Sequence, residues 1–212
     1  MMLPLVLYDI LSELPGNNWS ANPAKPRFVL SYKDLPFGDP LGRILRHPYR
    51  YEGHRCKAKQ TPRWLGRSTP SPSSATPNTG ALITDSLEIA SYLEKTYPEK
   101  PIFPNNSEPN DTRCQILHEA RSRDVPLPWD EKYDEDWELL EKVYNTAYEW
   151  YEKTDGKWII GNTLSYADIV VACHLLWYKR VLNEDEWARI SSWNGGKWAQ
   201  VLADVEKECK LA

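Results

Sequence analysis

Asp85 and Ser86 stand where a short apolar run, residues 81–84, passes into a predicted helix. The unpaired amides and the positive dipole end of a helix that begins there favour a carboxylate or a phosphate group. The Ser86 hydroxyl adds a hydrogen-bond donor and the Asp85 carboxylate can bind an ammonium group, so the pair suits the head group of an amino acid. Ordinary N-capping of the helix is the alternative, and the spacing alone favours it.

Ser20 and Asn22 lie in a turn-rich loop just ahead of another predicted helix. A hydroxyl near a helix N-terminus can donate a hydrogen bond to a thiolate and so lower the pKa of the thiol. Serine and asparagine are also common in turns and helix caps, which is the more frequent explanation for both residues. A thiolate site at this loop is therefore one of two open interpretations.

Ser165 and Asp168 form a Ser-x-x-Asp pattern at the start of a long apolar run. The serine side chain can accept a hydrogen bond from the Asp168 amide, while the Asp168 carboxylate can reach back to the helix start. We interpret this pair as a structural capping box that begins a helix, with no catalytic role.

The composition limits the classes of function. The chain has 212 residues, 41% hydrophobic and 26% charged, with a net charge of −4. This allows one large core or two small domains, and the charge gives no attraction to nucleic acid or to anionic membranes. No apolar run has the length of a membrane span. We expect no metal, because the four histidines and the widely spaced cysteines, Cys56, Cys114, Cys173 and Cys209, show no metal-ligand pattern. The cysteines also form no dense disulfide frame, so we expect a reduced, cytoplasmic protein.

A basic stretch, residues 43–67, carries eight lysines and arginines with aromatic residues between them. Such a composition could contact single-stranded nucleic acid. The stretch has no apolar periodicity that predicts a fold, however, and a nucleic-acid surface is expected as a cluster of basic residues on one face of a fold. We therefore favour a segment without a nucleic-acid partner.

The apolar periodicity predicts strands and helices in the first half of the chain and helices alone in the second. We divide the chain into an α/β domain (1–103, irregular over 38–75), a polar linker (104–111) and an all-α domain (112–212). Pro26 fits a helix only in its first turn, and the prolines and serines of residues 69–75 argue against a paired strand there. The predicted strands are residues 3–10 and 81–84, and the predicted helices are residues 25–35, 134–153, 165–182 and 195–208, with one more from residue 87 to Pro98.

The chain resembles the glutathione transferase family, and within it the fungal FuA class related to the β-etherase-type enzymes. Three segments carry the resemblance: "LYDI…WSANPAKPRFVLSYKDLPF", "ALITDSLEIASYLEKTYPEKPIFP" and "GNTLSYADIVVACHLLWYKRVL…WNGGKWAQVLADVEK". It implies a thioredoxin-like N-terminal domain, incomplete in its middle here, and an all-α C-terminal helical bundle.

The resemblance also implies roles for particular residues. Ser20 would stand at the thiol-activating position, with Asn22 as the alternate, and Asp85 and Ser86 would hold the γ-glutamyl end of glutathione. Pro72 stands near the place of a family proline whose backbone faces the cysteinyl part of glutathione. No cofactor beyond glutathione as co-substrate is implied.

The implied function is conjugation of glutathione to apolar small-molecule electrophiles, as in detoxification, or cleavage of aryl ethers, by a homodimer. The resemblance leaves open whether this chain is an active enzyme. The alternative is a non-catalytic protein that holds an apolar ligand or a protein partner in its helical domain.

Residues 38–75 depart from the family pattern. A Leu-Pro-Val-Ile type run is replaced by "SPSS", and codons that can encode Tyr-Thr-Leu-Pro-Val-Ile read as "TPSPSS", residues 69–74, when the frame is shifted by one base. We interpret residues 38–75 as read out of frame, with a divergent insertion as the alternative. On this interpretation the strands at 3–10 and 81–84 lack the strand that the family places between them.

Overall fold

The computed structural model describes residues 3–8, 20–38, 51–52, 55–56, 73–76, 79–104 and 133–210. For 51–52, 55–56 and 73–76 it describes the backbone alone. The polar linker and the segment up to residue 132 lie outside the described residues, so the domain boundaries remain a prediction. None of the helices in the described ranges is long and apolar enough to cross a membrane.

The N-terminal part is built on a four-stranded sheet. Its strands are β1 (Leu5–Tyr8), β2 (Phe37–Gly38), β5 (Ser73–Thr76) and β6 (Ala81–Ile83), in the order β2-β1-β5-β6. Strand β2 runs parallel to β1, and β5 runs antiparallel to both β1 and β6. Two further strands, β3 (Tyr51–Glu52) and β4 (Arg55–Cys56), form a separate antiparallel pair.

Strand β5 corrects one expectation, because Ser73–Thr76 lies between β1 and β6 as a paired strand. Ladder pairing uses backbone N–H and C=O groups, and all four of these residues have both. Pro72 and Pro77 stand immediately before and after the strand, so the prolines interrupt no ladder bond. Backbone hydrogen bonding to β1 on one side and β6 on the other therefore stabilises a strand here, despite the weak strand propensity of serine.

Helix α1 (Ala21–Tyr32) begins four residues earlier than the sequence predicts, and Pro26 lies inside it, past the first turn. Ser20 is the residue before the helix, with an extended backbone (φ −94°, ψ 131°). A proline inside a helix removes the hydrogen bond to the carbonyl four residues back, here that of Asn22. The helix keeps its course because most of its circumference is buried against the rest of the protein, with Ala24, Phe28 and Leu30 among the buried residues.

Helix α2 (Ser86–Thr96) follows β6 directly and ends before Pro98, as predicted. The helical part then contains α3 (Tyr133–Glu152), α4 (Tyr166–Val181) and α5 (Glu184–Glu208). The apolar face predicted for α3 is buried at every position: Trp137, Leu140, Tyr144, Ala147 and Tyr151. Helix α4 is buried almost all round, as its apolar composition indicates.

Helix α5 differs from the prediction, because Gly195 and Gly196 lie in a kink between two helical segments. Asn194, Gly195 and Gly196 have positive φ values of 51°, 70° and 86°. Glycine adopts this left-handed region without strain, so the Gly-Gly pair permits the kink. The Asn194 side chain spans it: its amide donates to Asn145 Oδ1 at 2.9 Å, and its Oδ1 accepts from Trp198 Nε1 at 2.8 Å.

Candidate functional site

The strand directions place three chain positions at one end of the sheet, along the edge formed by the termini of the strands. Strands β1 and β6 are parallel to each other, since each is antiparallel to β5, and the register pairs Tyr8 with Ser73 and Ser74 with Ile83. The ends of β1 and β6 therefore lie beside the start of β5. We call this edge, marked by Tyr8, Ser73 and Ile83, the site edge. Neighbouring strands lie about 4.8 Å apart, so the ends of β1 and β6 are about 10 Å apart.

The N-termini of α1 and α2 both lie toward the site edge. Helix α2 begins three residues after Ile83. Helix α1 leads into β2, which starts beside the first residue of β1, so α1 ends at the opposite edge and begins at the site edge. The two C-terminal ends meet there through Lys33, whose Nζ donates to Glu94 Oε2 and to the Tyr97 carbonyl, both at 2.8 Å. The helices have 12 and 11 residues, so their first turns are nearly level.

The first turn of α2 is capped by Asp85, whose backbone is extended. Asp85 Oδ1 accepts from the Leu87 amide at 2.8 Å and from the Glu88 amide at 3.1 Å. The Asp85 side chain is exposed, while Ser86 is 9% exposed. One carboxylate oxygen therefore holds the helix start, and the second oxygen remains on an exposed group where it can meet a cation.

The first turn of α1 differs from that of α2, because Ser20 makes no side-chain capping bond to it. The Ser20 carbonyl accepts from the Ala24 amide at 3.2 Å, and this is its role in the helix. Asn22 lies in the first turn and its Oδ1 accepts a hydrogen bond from Lys25 Nζ at 3.4 Å. The Ser20 hydroxyl is thus not committed to capping α1.

The structure brings Ser20, Asn22, Asp85 and Ser86 to the same side of the sheet. Pro72 lies outside the described residues, although β5, which follows it, starts at the site edge. Sequence reasoning missed Lys25, whose residue is only 2% exposed. The spacing of the sequence could have predicted this burial. Lys25 stands four residues after Ala21 and three before Phe28, which are both buried, so it occupies the apolar stripe of α1.

Ser165 and Asp168 lie at the start of α4 and form a reciprocal capping box. Asp168 Oδ2 accepts from the Ser165 amide at 2.9 Å and from the Ser165 hydroxyl at 2.6 Å, while its Oδ1 accepts from the Ile159 amide at 3.1 Å. Burial raises the pKa of Asp168, and the hydrogen bonds from Ser165 and Ile159 act against that rise. All the described bonds of this carboxylate are internal to the fold, which fits a structural role.

Cys173 and Cys209, the cysteines whose side chains the structure describes, are buried thiols. Burial raises the pKa of Cys173 far above the usual range of a thiol, and raises the pKa of Cys209 to about 12. A thiol with so high a pKa carries almost no thiolate at neutral pH, so neither is a suitable nucleophile. Within the described ranges no cluster of three or more His, Cys, Asp or Glu side chains could hold a metal ion.

Comparison with known proteins identifies the fold. Residues 124–207 match the sequence profile described as "Glutathione S-transferase, C-terminal domain". A crystal structure of a glutathione S-transferase from Ceriporiopsis subvermispora, solved in complex with glutathione, superposes with a TM-score of 0.76 at 26% identity, over 97% of this chain and 98% of that one. The fold is that of a glutathione S-transferase. The glutathione transferase GSTFuA3 from Phanerochaete chrysosporium shares this fold, with a TM-score of 0.73 at 22% identity over 98% of each chain.

Two curated relatives match part of the chain. The glutathione S-transferase-like protein ustS of Aspergillus flavus is 35% identical in an alignment 113 residues long, which covers 48% of this chain and 38% of that protein. The maleylacetoacetate isomerase of Dictyostelium discoideum is 28% identical over 104 residues, 42% of this chain and 48% of that protein. The matches therefore span less than half the length of each of these relatives. The comparisons thus show the glutathione S-transferase fold, and a likeness of residues 124–207 to the C-terminal domain of that family.

Proposed function

We propose that the chain binds glutathione at the site edge and acts as a glutathione transferase. The observation that carries this proposal is the common edge at which the first turns of α1 and α2 lie, with Ser20 on one and Asp85 and Ser86 on the other. The two strand ends at this edge are about 10 Å apart, and three extended residues span about 10 Å. A tripeptide therefore fits between them. The relative from Ceriporiopsis subvermispora, which shares the fold, was crystallised with glutathione.

The γ-glutamyl end of glutathione suits the start of α2. Its α-carboxylate can accept from the Ser86 hydroxyl at the positive end of the helix, where negative charge is stabilised. Its α-ammonium can meet the exposed carboxylate of Asp85, which keeps one oxygen clear of the capping bonds. In this proposal Pro72, the residue before β5 in the sequence, offers its backbone to the cysteinyl part.

The glutathione sulfur then lies near the first turn of α1, where Ser20 or Asn22 donates a hydrogen bond to it. A donor to the charged form lowers the pKa of the thiol and raises the fraction of thiolate, which is the nucleophile. The thiolate forms a C–S bond to an apolar electrophile, and the leaving group departs with the electron pair of the broken bond. An aryl ether would react in the same way, with the aryloxide as the leaving group.

The finer assignments are also proposals. The FuA class is supported by the fold shared with GSTFuA3. A homodimer and a cytoplasmic site of action are expected from the resemblance, and size-exclusion chromatography with light scattering tests the first. We still propose that residues 38–75 are read out of frame, although the last three of them belong to the paired strand β5. An uninterrupted transcript that encodes these residues as they stand would refute it.

Retention on immobilised glutathione tests the proposed function. The wild-type chain should be retained, and Ser86→Ala should bind roughly 10- to 100-fold more weakly, because a hydrogen bond to a charged group contributes about 1.5–3 kcal/mol. Ser192→Ala is the matched control, since Ser192 is exposed and its hydroxyl donates to the Arg189 carbonyl at 2.8 Å, far along the chain from the site edge. Equal retention of both variants would contradict the site. A wild-type chain that is not retained but binds an apolar dye would favour the ligand-holding alternative.

A further inference from the structure

Lys25 is a buried cation one turn after the candidate thiol-binding residues. It is 2% exposed, and it lies on the face of α1 that packs against α4. Lysine is almost never fully buried unless its ammonium group has a partner, and the side chain of Asn22 is one partner here. Lys25 stands three residues after Asn22 and five after Ser20, in the second turn of α1, the helix that begins at the site edge.

The contact between Lys25 and Asn22 fixes the orientation of the Asn22 amide. Lys25 Nζ donates to Asn22 Oδ1 at 3.4 Å. An ammonium group has donors only, so the end of the amide that faces it must be the oxygen. The two N–H donors of Asn22 are therefore at the other end of the group, away from Lys25 and available to an anion at the start of α1.

The charge of Lys25 also acts on a sulfur atom at some distance. Cys173 of α4 is buried, and burial raises its pKa, but the positive charge of Lys25 acts in the opposite direction. Cys209 adds to the rise at Cys173. Cys173 is thus the thiol of α4 on which the charge of Lys25 acts, and Cys209 acts on Cys173 in turn. The field of this buried cation thus favours a thiolate, and it is screened less than that of an exposed lysine.

We infer that Lys25 is a positioning residue of the thiol site: it turns the amide donors of Asn22 toward the glutathione sulfur and adds a buried positive charge behind them. The inference rests on the proposed function, because it assigns the donor that the glutathione thiolate meets. It makes Asn22 the primary donor to the sulfur, with Ser20 beside it.

The test measures the apparent pKa of the thiol of bound glutathione from the ultraviolet absorbance of its thiolate. In Lys25→Met the pKa should rise by about one unit, which is about tenfold less thiolate at neutral pH. Lys25→Arg should restore it, since the charge is kept. Lys142→Met is the matched control, because Lys142 is exposed on α3 and the charge change is the same. Binding of S-methylglutathione, which has no thiol, should change less than twofold in all three.

Two results would overturn the inference. One is a thiol pKa in Lys25→Met equal to that in Lys142→Met while glutathione still binds; this would leave the proposed function intact. The other result is measured on a second variant, Asn22→Asp, and it applies if Lys25→Met does not fold. Asn22→Asp keeps an acceptor for Lys25 but loses both N–H donors, so it should raise the thiol pKa by about one unit. An unchanged pKa in Asn22→Asp refutes the inference, and a wild-type chain that binds no glutathione refutes the proposed function itself.

Discussion

Replacing Asp168 by alanine should strongly destabilise the helical domain. This carboxylate is the acceptor for three buried donors, which are the Ser165 amide, the Ser165 hydroxyl and the Ile159 amide, at 2.9, 2.6 and 3.1 Å. Asp168 is 0% exposed, so no water replaces the lost oxygens. The change removes the capping box of α4, the helix at the centre of the bundle, and releases the turn at Ile159.

The magnitude follows from the number of stranded donors. A buried donor that loses its acceptor costs about 1–3 kcal/mol. The Ser165 hydroxyl can rotate to another acceptor, which leaves the two amides and a loss of about 4 kcal/mol in the free energy of unfolding. For a protein of this size that corresponds to a fall in Tm of about 8–16 °C.

Urea unfolding followed by tryptophan fluorescence measures this loss, because the chain has 10 Trp residues. Asp85→Ala is the matched control. Asp85 also accepts from two amides at a helix start, at 2.8 and 3.1 Å, but it is exposed, so water can take over and the cost should be about 1 kcal/mol. If Asp168→Ala loses no more stability than Asp85→Ala, then burial does not decide the strength of a cap, and the reasoning fails.

Three further predictions concern packing, charge and reactivity. Gly156→Ala should cost about 3 kcal/mol in the same unfolding assay, because a Cβ there would lie 2.1 Å from the Gly161 carbonyl carbon, which is backbone and cannot turn aside; a loss under about 1 kcal/mol would contradict this. Hydrogen bonding from Lys100 lowers the pKa of Asp34 to about 2, so the stabilisation is present above the unfolded value of 3.8 and is lost as the pH falls toward 2. In Lys100→Met an NMR titration should find the pKa of Asp34 nearer 3.8, and an unchanged value would refute the contact. Iodoacetamide at pH 8 should label Cys209 in urea but not in the folded protein, since burial raises its pKa to about 12; peptide mass spectrometry that finds it labelled in the native state would show that the C-terminal end of α5 opens.

The helices of the C-terminal half could be predicted from sequence because their signals are local. The apolar spacing of α3 identified its buried face, and Ser165 with Asp168 marked the start of α4 within one residue. The sequence prediction missed the kink in α5, although the adjacent glycines Gly195 and Gly196 indicate a possible break in a helix. Their left-handed backbone is held by the Asn194 contacts with Asn145 and Trp198, and the first of these partners is 49 residues away.

The site was only partly predictable. Asp85 and Ser86 were identified from the strand-to-helix junction, a pattern of adjacent residues. Lys25 was missed because burial of a lysine depends on the helix that packs over it, here α4. The choice between Ser20 and Asn22 was open in the sequence, and the Lys25–Asn22 hydrogen bond now gives a physical reason to test Asn22 first.

The sequence by itself determined where α2, α3 and α4 begin, each within one residue, and which face α3 buries, because capping and apolar periodicity act over a few residues. Only the tertiary structure decided that Ser73–Thr76 is a strand and that the starts of α1 and α2 share one edge of the sheet. A strand obtains its hydrogen bonds from neighbours that are distant in sequence. Pairing with β1 and β6 therefore holds Ser73–Thr76 as a strand, although the strand propensity of these residues is weak. The same pairing sets the direction of each strand, and that direction brings Ser20 and Asp85 to the same side of the molecule.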